Sequence, residues 1–156
     1  MVTYRLGKPN PKQLLFFKAR AKYIAYGGAR GGGKSWAQRG KATLLAWRYA
    51  GIRVLILRRT YPELTETFVK PLKRGLAEVL RAGMVQYRET DKEFVFGNGS
   101  LVMLGYCDNA ADLNRYQGAE YDVIFIDEAT QWPEEWFITL TACVRGANDF
   151  PKRIYL

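Results

Sequence analysis

Residues Tyr23 to Ser35 read Y-I-A-Y-G-G-A-R-G-G-G-K-S, and no other stretch of the chain carries a stronger structural signal. A short β-prone run, Tyr23 to Tyr26, ends in a glycine-dense turn, and Lys34 to Ala50 is rich in helix-forming residues. The turn fits the Walker A pattern G-x-x-x-x-G-K-[ST] without a gap. Because the pattern lies between a predicted strand and a predicted helix, the sequence predicts a phosphate-binding loop.

Each residue type in this loop suits the binding of a nucleoside triphosphate. Glycines let successive backbone N–H groups turn toward phosphate oxygens, and the helix that follows adds its positive dipole end. Lys34 would neutralise the β- and γ-phosphates, and the Ser35 hydroxyl would be a ligand of Mg²⁺. The predicted nucleotide-binding residues of the loop are Gly28, Ala29, Arg30, Gly31, Gly32, Gly33, Lys34 and Ser35. The alternative is a glycine-rich turn that matches the pattern by chance.

Two carboxylates follow a second buried-type strand. The apolar run Val123 to Ile126 leads directly into Asp127 and Glu128, which places both acids at the carboxyl edge of a central strand, where ligands gather. In an enzyme with a phosphate loop, Asp127 would hold Mg²⁺ through water, and Glu128 would polarise the water that attacks the γ-phosphate. Such a Walker B pattern alone arises often by chance. The phosphate loop upstream favours the functional interpretation.

The remaining elements favour an α/β fold. Arg53 to Arg59 is a continuous apolar run of the kind covered on both faces, and residues 84–106 alternate around an N-G turn, which predicts a β-hairpin. Glu63 to Arg81 has one apolar helical face, with Pro71 expected to kink or split the helix. We predict a three-layer P-loop NTPase sandwich with a mostly parallel central sheet and a β-hairpin insertion.

The spacing of the two motifs also predicts topology. The full strand Val54 to Leu57 lies between them along the chain, together with two helices and the hairpin. This arrangement suits the class of ATPases with an extra strand between the strand of the phosphate loop and the acidic strand. A last apolar and basic run, Arg153 to Leu156, is also predicted to be a strand.

The composition limits the class of protein. A chain of 156 residues with 48% apolar and 25% charged residues has the composition of one globular domain. No apolar run approaches the roughly 18 residues that span a bilayer, and no secretory signal opens the chain, so we expect an intracellular protein without a membrane partner. The net charge of +9 favours attraction to polyanions such as nucleic acid.

Four blocks of the sequence together resemble one known family. They are P-K-Q at Pro11 to Gln13, Y-G-G-A-R-G-G-G-K-S at Tyr26 to Ser35, L-R-R-T-Y-P-E-L at Leu57 to Leu64, and R-Y-Q-G-A-E leading into V-I-F-I-D-E-A-T-Q between Arg115 and Gln131. The blocks extend over nearly the whole chain. They resemble the large terminase subunits, which package DNA into the heads of tailed bacteriophages.

The resemblance implies an activity and a set of partners. A large terminase would use ATP and Mg²⁺ to drive double-stranded DNA into the procapsid, working as a homo-oligomeric ring on the portal protein together with the small terminase subunit. It would act in the cytoplasm of the bacterial host. We expect residues 1–156 to form the P-loop ATPase domain, truncated relative to the family, because the family's RNase H-like nuclease domain is absent from them. Nuclease activity is therefore not expected.

The resemblance alone implies possible roles for several arginines and one glutamine. Gln13 matches an upstream glutamine that recognises adenine, and its alternative is a surface polar residue. Arg30 matches an arginine thought to contact the γ-phosphate or to couple hydrolysis to motion, where a guanidinium would stabilise developing charge; its alternative is a solvated side chain. Arg58, Arg59 or Arg145 could act in a neighbouring subunit, and we assign none of them.

Basic side chains also crowd the middle of the chain. They would make sequence-independent contacts to DNA phosphates, or they would simply form a solvated helix face. These residues are Lys70, Lys73, Arg74, Arg81, Arg88 and Lys92. Two other functions stay open at this point: another ring or helicase-like P-loop ATPase, and a nucleotide-binding or DNA-binding module without turnover.

Overall fold

The computed structural model describes residues 4–30 and 33–156, and the strands found in these ranges form one sheet. The strands are β1 (Tyr23–Ile24), β2 (Arg53–Arg58), β3 (Val85–Arg88), β4 (Glu93–Phe96), β5 (Leu101–Tyr106), β6 (Val123–Ile126) and β7 (Arg153–Tyr155). Their order across the sheet is β1-β7-β6-β2-β5-β4-β3. Neighbours from β1 to β5 are parallel, and β4 and β3 add antiparallel pairs at one edge. The predicted mostly parallel sheet is confirmed.

Helices connect these strands. They are α1 (Pro11–Lys18), α2 (Lys34–Arg48), α3 (Tyr61–Leu64), α4 (Lys70–Gly75), α5 (Ala77–Arg81), α6 (Ala110–Leu113) and α7 (Glu134–Ala142). A π-helical turn, Thr65–Val69, joins α3 to α4, and a 3₁₀ turn, Ala129–Gln131, follows β6. Among the described residues, no helix has both the length and the apolar character needed to cross a bilayer.

The side chains of β2 alternate between two hydrophobic clusters. Val54 and Ile56 pack with residues of α1, α2 and the helices from α3 to α5. Leu55 and Leu57 pack on the opposite face with residues of α6 and α7. A parallel strand covered on both faces must be apolar at every position, which explains the uninterrupted run in the sequence. The three-layer prediction is confirmed.

The strand that separates β1 from β6 is β7. Ile154 of β7 is the register partner of Tyr23 on one side and of Ile124 on the other. The predicted extra strand is thus present, but it is β7 and not the strand Val54 to Leu57 on which the prediction was based. Strand β2, which lies between the two motifs along the sequence, pairs with β6 on its far side. Order along the chain and order across the sheet differ because parallel strands are joined by crossovers.

The predicted hairpin is β4 and β5, which pair with Phe94 opposite Val102. Strand β5 also pairs with β2 from Arg53 to Arg58, so one arm of the hairpin belongs to the parallel sheet itself. Strand β3 extends the same edge by pairing with β4. The hairpin therefore continues the central sheet.

The predicted helix from Glu63 to Arg81 widens into a π-helical turn before Pro71 and is interrupted at Leu76, between α4 and α5. Proline has no N–H and clashes with the carbonyl four residues back. In the π-helical turn the Lys70 N–H bonds to the Thr65 carbonyl, five residues back, which widens the helix there. The Thr67 carbonyl accepts a hydrogen bond from Arg39 of α2 at 2.7 Å. The proline thus frees a backbone acceptor that ties two helices together.

Candidate functional site

The carboxyl ends of β1, β6 and β2 meet along one edge of the sheet, as parallel strands require. A cleft of about 530 Å³ opens at this edge. Its lining includes both cations and carboxylates: Arg30, Lys34, Arg39, Arg58, Glu63 and Glu128. The cleft lies where the two sequence motifs predicted it.

The phosphate loop joins β1 to α2 at this cleft. Lys34, the first residue of α2, donates from Nζ to the Gly28 carbonyl at 2.6 Å, which holds the ammonium across the loop. Arg30 is exposed and lines the cleft, and Gly28 and Ala29 are also exposed. The other two predicted loop residues, Gly31 and Gly32, lie outside the described residues.

Gly33 ends the loop and is required there for two reasons. Its φ of +72° lies in the left-handed region, which a side chain makes unfavourable. A Cβ at this position would also lie 2.3 Å from Nε2 of Gln13. The chain therefore needs glycine immediately before α2, which agrees with the pattern in the sequence.

Gln13 braces the loop from α1. Its Nε2 donates to the Gly33 carbonyl at 3.1 Å, and its Oε1 accepts from the Asn10 N–H at 2.8 Å, as part of the capping box that begins α1. The side chain is 7% exposed, so it is a buried residue that contacts the loop rather than a surface polar one. Its contact with adenine stays a prediction.

Asp127 and Ser35 come together from the two motifs. The Ser35 Oγ lies 3.5 Å from Oδ2 of Asp127, which is 2% exposed. Burial raises the pKa of Asp127, and the Arg58 guanidinium acts in the opposite direction by ion pairing with the same Oδ2. A hydroxyl and a carboxylate that share a site are the hard oxygen ligands that Mg²⁺ prefers. The residues present therefore fit this metal.

Glu128 has an unusual backbone conformation. Its φ of +54° and ψ of +47° are left-handed, and a positive φ occurs among the other described non-glycine residues only at Lys92. Such a conformation costs on the order of 1–3 kcal/mol and is found preferentially at functional sites. Hydrogen bonds hold it in place: the Gln131 N–H donates to the Glu128 carbonyl at 2.9 Å, and Nε1 of Trp132 donates to the Asp127 carbonyl at 3.2 Å.

Comparison with known protein families agrees with this geometry. A family model described as terminase large subunit, T4likevirus-type, N-terminal matches residues 25–143, which is more than half of the chain. The chain belongs to the terminase large-subunit family. A comparison with curated protein sequences finds no match.

Solved large terminases share the fold of this terminase chain. The large terminase of bacteriophage HK97 superposes with a TM-score of 0.73 at 14% identity, covering 96% of this chain and 33% of that one. The large terminase ATPase domain of Thermus phage P74-26 gives 0.71 at 24% identity, covering 95% and 64%. The large terminase of a thermophilic bacteriophage in complex with ADP gives 0.68 at 18% identity, covering 94% and 37%. The chain thus spans only part of each relative.

Arg58 ends β2 of the terminase sheet, Arg59 follows it, and the two contact different partners. Arg58 contacts carboxylates: it pairs with Asp127, and its Nε lies 3.7 Å from Glu63. Arg59 contacts backbone carbonyls: it donates from Nε to Cys107 at 3.0 Å and from NH2 to Asp108 at 3.3 Å. Within their own chain, Arg58 therefore pairs with carboxylates of the site, and Arg59 bonds to backbone carbonyls beside it.

Arg59 also holds the turn that carries Glu128. Its NH1 donates to the Gln131 carbonyl, and its guanidinium lies 5.1 Å from the ring centroid of Trp136. Arg59 thereby ties the end of β2 to the turn after β6. Arg145, the third arginine considered for a role in a neighbouring subunit, is exposed and lies 3.8 Å from Glu120. Any role of these side chains in a neighbouring subunit stays a prediction.

Sequence reasoning missed one cation of this terminase cleft and the partner of another. Arg39 lines the cleft one helical turn after Ser35 on the same face of α2. The four-residue spacing of these positions was a usable signal. The only sequence signal for the pairing of Arg58 with Asp127 was the position of Arg58 at the end of a strand, on the edge of the sheet where ligands bind.

Proposed function

We propose that this terminase chain binds ATP with Mg²⁺ in the cleft and hydrolyses it. The observation that carries the proposal is the left-handed Glu128 beside the buried Asp127, in one cleft with Lys34. A carboxylate held in a costly conformation at the end of a central strand is suited to abstracting a proton from water. Structures of the large terminase of the same thermophilic bacteriophage in complex with ADP and with ATP-gamma-S support nucleotide as the ligand of such a cleft.

Each side chain of the cleft then has a defined task. Lys34, now bonded to the Gly28 carbonyl, moves its ammonium to the β- and γ-phosphates. Ser35 and Asp127 would hold Mg²⁺, which supplies positive charge at the phosphate oxygens when bound. Glu128 takes the proton of the attacking water, and Arg30 and Arg58 provide cations for the charge that develops on the γ-phosphate.

The wider role follows from the family. We propose that hydrolysis in this domain drives double-stranded DNA into a procapsid, in a homo-oligomeric ring that works with the portal protein and the small terminase subunit in the bacterial cytoplasm. Membership of the terminase large-subunit family supports this role over that of a helicase-like ATPase. A module that binds nucleotide without turnover is the second candidate, because Arg58 pairs with Asp127, the carboxylate that would hold Mg²⁺.

The test measures binding and turnover separately. Binding of a fluorescent ATP analogue and Mg²⁺-dependent phosphate release are measured for the wild-type chain across a range of protein concentrations. The same measurements are made on Lys34→Ala and on the matched control Lys8→Ala, whose lysine is exposed and lies outside the cleft. We expect Lys34→Ala to abolish binding and Lys8→Ala to bind like the wild type.

The outcomes separate the candidate functions. Phosphate release that rises steeply with protein concentration supports an ATPase that works as an assembly. Binding without phosphate release at any concentration identifies a nucleotide-binding module. Wild-type protein that binds no nucleotide would contradict the assignment of the cleft.

A further inference from the structure

A second pocket lies at the opposite end of the sheet from the nucleotide cleft. It has a volume of about 960 Å³ and lies between α1, α2 and the start of β7. Helix α2 runs from one site to the other: Lys34 begins it at the cleft and Arg48 ends it at the pocket. With 15 residues at a rise of 1.5 Å each, the helix is about 22 Å long from end to end, and the two sites have no described lining residue in common.

Cations dominate this pocket, which we call the basic pocket after its residues Lys18, Arg20, Lys41, Arg48 and Arg153. None of the described residues that line it is acidic. Within residues 4–30 and 33–156, none of these cations forms an ion pair with a carboxylate. The positive charge is therefore not neutralised by the described part of the chain.

Lys41 shows how strongly these charges act on each other. It is half-buried, and its Nζ donates to the Phe17 carbonyl at 2.6 Å, so the side chain is held in the pocket. Burial, followed by repulsion from Arg153, Arg48 and Arg20, lowers the pKa of Lys41 to about 8. An anion placed among these groups would relieve both effects.

We propose that the basic pocket binds a run of phosphate groups, as presented by a nucleic-acid backbone or a free polyphosphate. Several unpaired cations in one concave site match repeated negative charges better than a single carboxylate. The exposed Arg20 and Arg48 extend the charge to the rim, where an extended chain of phosphates would continue. A nucleic-acid ligand would connect this inference to the proposed packaging role, whereas the binding itself does not require hydrolysis in the cleft.

The experiment compares two equal losses of charge. Binding of a fluorescently labelled duplex DNA is measured by anisotropy, at several salt concentrations, for the wild-type chain and for two double variants. Arg20→Ala with Arg48→Ala removes two exposed arginines of the basic pocket. Arg74→Ala with Arg81→Ala removes two exposed arginines of the basic cluster in the middle of the chain, which is the competing candidate for contacts to DNA phosphates, and the net charge falls equally. Thermal unfolding and binding of the fluorescent ATP analogue check that each variant is folded.

The salt dependence of the DNA-binding constant distinguishes the two variants. Each phosphate contact contributes about 0.9 to the slope of log K against log salt concentration for duplex DNA. Loss of Arg20 and Arg48 should therefore reduce the magnitude of this slope by about 2, while the Arg74 and Arg81 variant keeps the wild-type slope. Three results would overturn the proposal. The slope could fall equally in both variants, it could fall only in the Arg74 and Arg81 variant, or the wild-type chain could bind no phosphate probe.

A competitor distinguishes the two sources of phosphate. Tripolyphosphate that displaces the duplex from the wild-type chain at low concentration identifies a compact phosphate chain as a sufficient ligand. Tripolyphosphate that fails to displace it, while unlabelled DNA does, identifies the extended nucleic-acid backbone. Failure of ATP binding or hydrolysis in the same preparations would count against the proposed function of the cleft and not against the basic pocket.

Discussion

The nucleotide cleft and the basic pocket lie at opposite ends of α2, and both are rich in arginine and lysine. Only the cleft is also lined by carboxylates, Glu63 and the left-handed Glu128, and the buried Asp127 lies beside Glu128. Carboxylates hold a metal and accept protons, so a site that contains them is equipped for chemistry. The charged residues of the basic pocket are all cations, which can attract and hold phosphate, and no carboxylate lines this pocket among the described residues. The charge pattern thus separates the proposed site of turnover from the proposed site of phosphate binding.

The largest effect is expected from Glu128→Gln. Removing the carboxylate that accepts the proton should lower phosphate release by roughly 10²–10⁴-fold, while the affinity for the fluorescent ATP analogue changes little. The matched control is Glu135→Gln, an exposed carboxylate on α7. Phosphate release near the wild-type level in Glu128→Gln would mean that the chemical role of the cleft has been assigned to the wrong residue.

A smaller effect is expected from Arg59→Ala. This variant tests whether turnover depends on the position of the Glu128 carboxylate as well as on its presence. The variant loses hydrogen bonds to the Cys107, Asp108 and Gln131 carbonyls, which costs about 1–3 kcal/mol of stability and releases the turn that carries Glu128. We expect the turnover number to fall on the order of 10-fold with little change in KM, because Glu128 is misplaced. Arg81→Ala, which removes an exposed arginine outside the cleft, is the control. A change confined to KM would contradict the positioning role.

The smallest effect concerns the pH dependence of the basic pocket. Because the pKa of Lys41 is about 8, the pocket loses a positive charge as the pH rises from about 7 to about 9, and DNA binding should weaken by a few fold. In Lys41→Arg the guanidinium stays protonated, so binding should change less over the same range. Equal pH profiles for the two proteins would show that Lys41 does not face the ligand.

The same pKa has a consequence for folding. The folded state lowers the pKa of Lys41 below its ordinary value of 10.5, so the unfolded chain binds more protons between about pH 8 and that value. The contribution of Lys41 to stability is therefore unfavourable at neutral pH and improves as the pH rises through this window.

The sequence predicted the cleft well because its motifs are local. The phosphate loop and the acidic pair each occupy a few consecutive residues directly after a strand, so the alternation of strand and helix fixes their place at one edge. Strands β2 and β6 were predicted almost residue for residue, because burial on both faces leaves an uninterrupted apolar run.

Features that combine distant segments were not predictable in this way. The position of β7 between β1 and β6 depends on pairing across the whole chain, and Arg58 meets Asp127 only because β2 and β6 are neighbours. The cations of the basic pocket come from α1 and the segment that follows it, from α2 and from β7, and no local sequence pattern predicts that they lie together. Its charges are visible in the composition, whereas their common location requires the fold.

The separation of the two sites is tested most directly by asking whether their ligands bind together. The fluorescent ATP analogue is titrated into the wild-type chain in the absence and in the presence of saturating duplex DNA, with Mg²⁺ throughout. Since the cleft and the basic pocket have no described lining residue in common and lie toward opposite ends of α2, the account predicts that saturating DNA leaves the nucleotide bound at the same stoichiometry. Stoichiometric displacement of the nucleotide by DNA would show that both ligands use one site and would contradict the account.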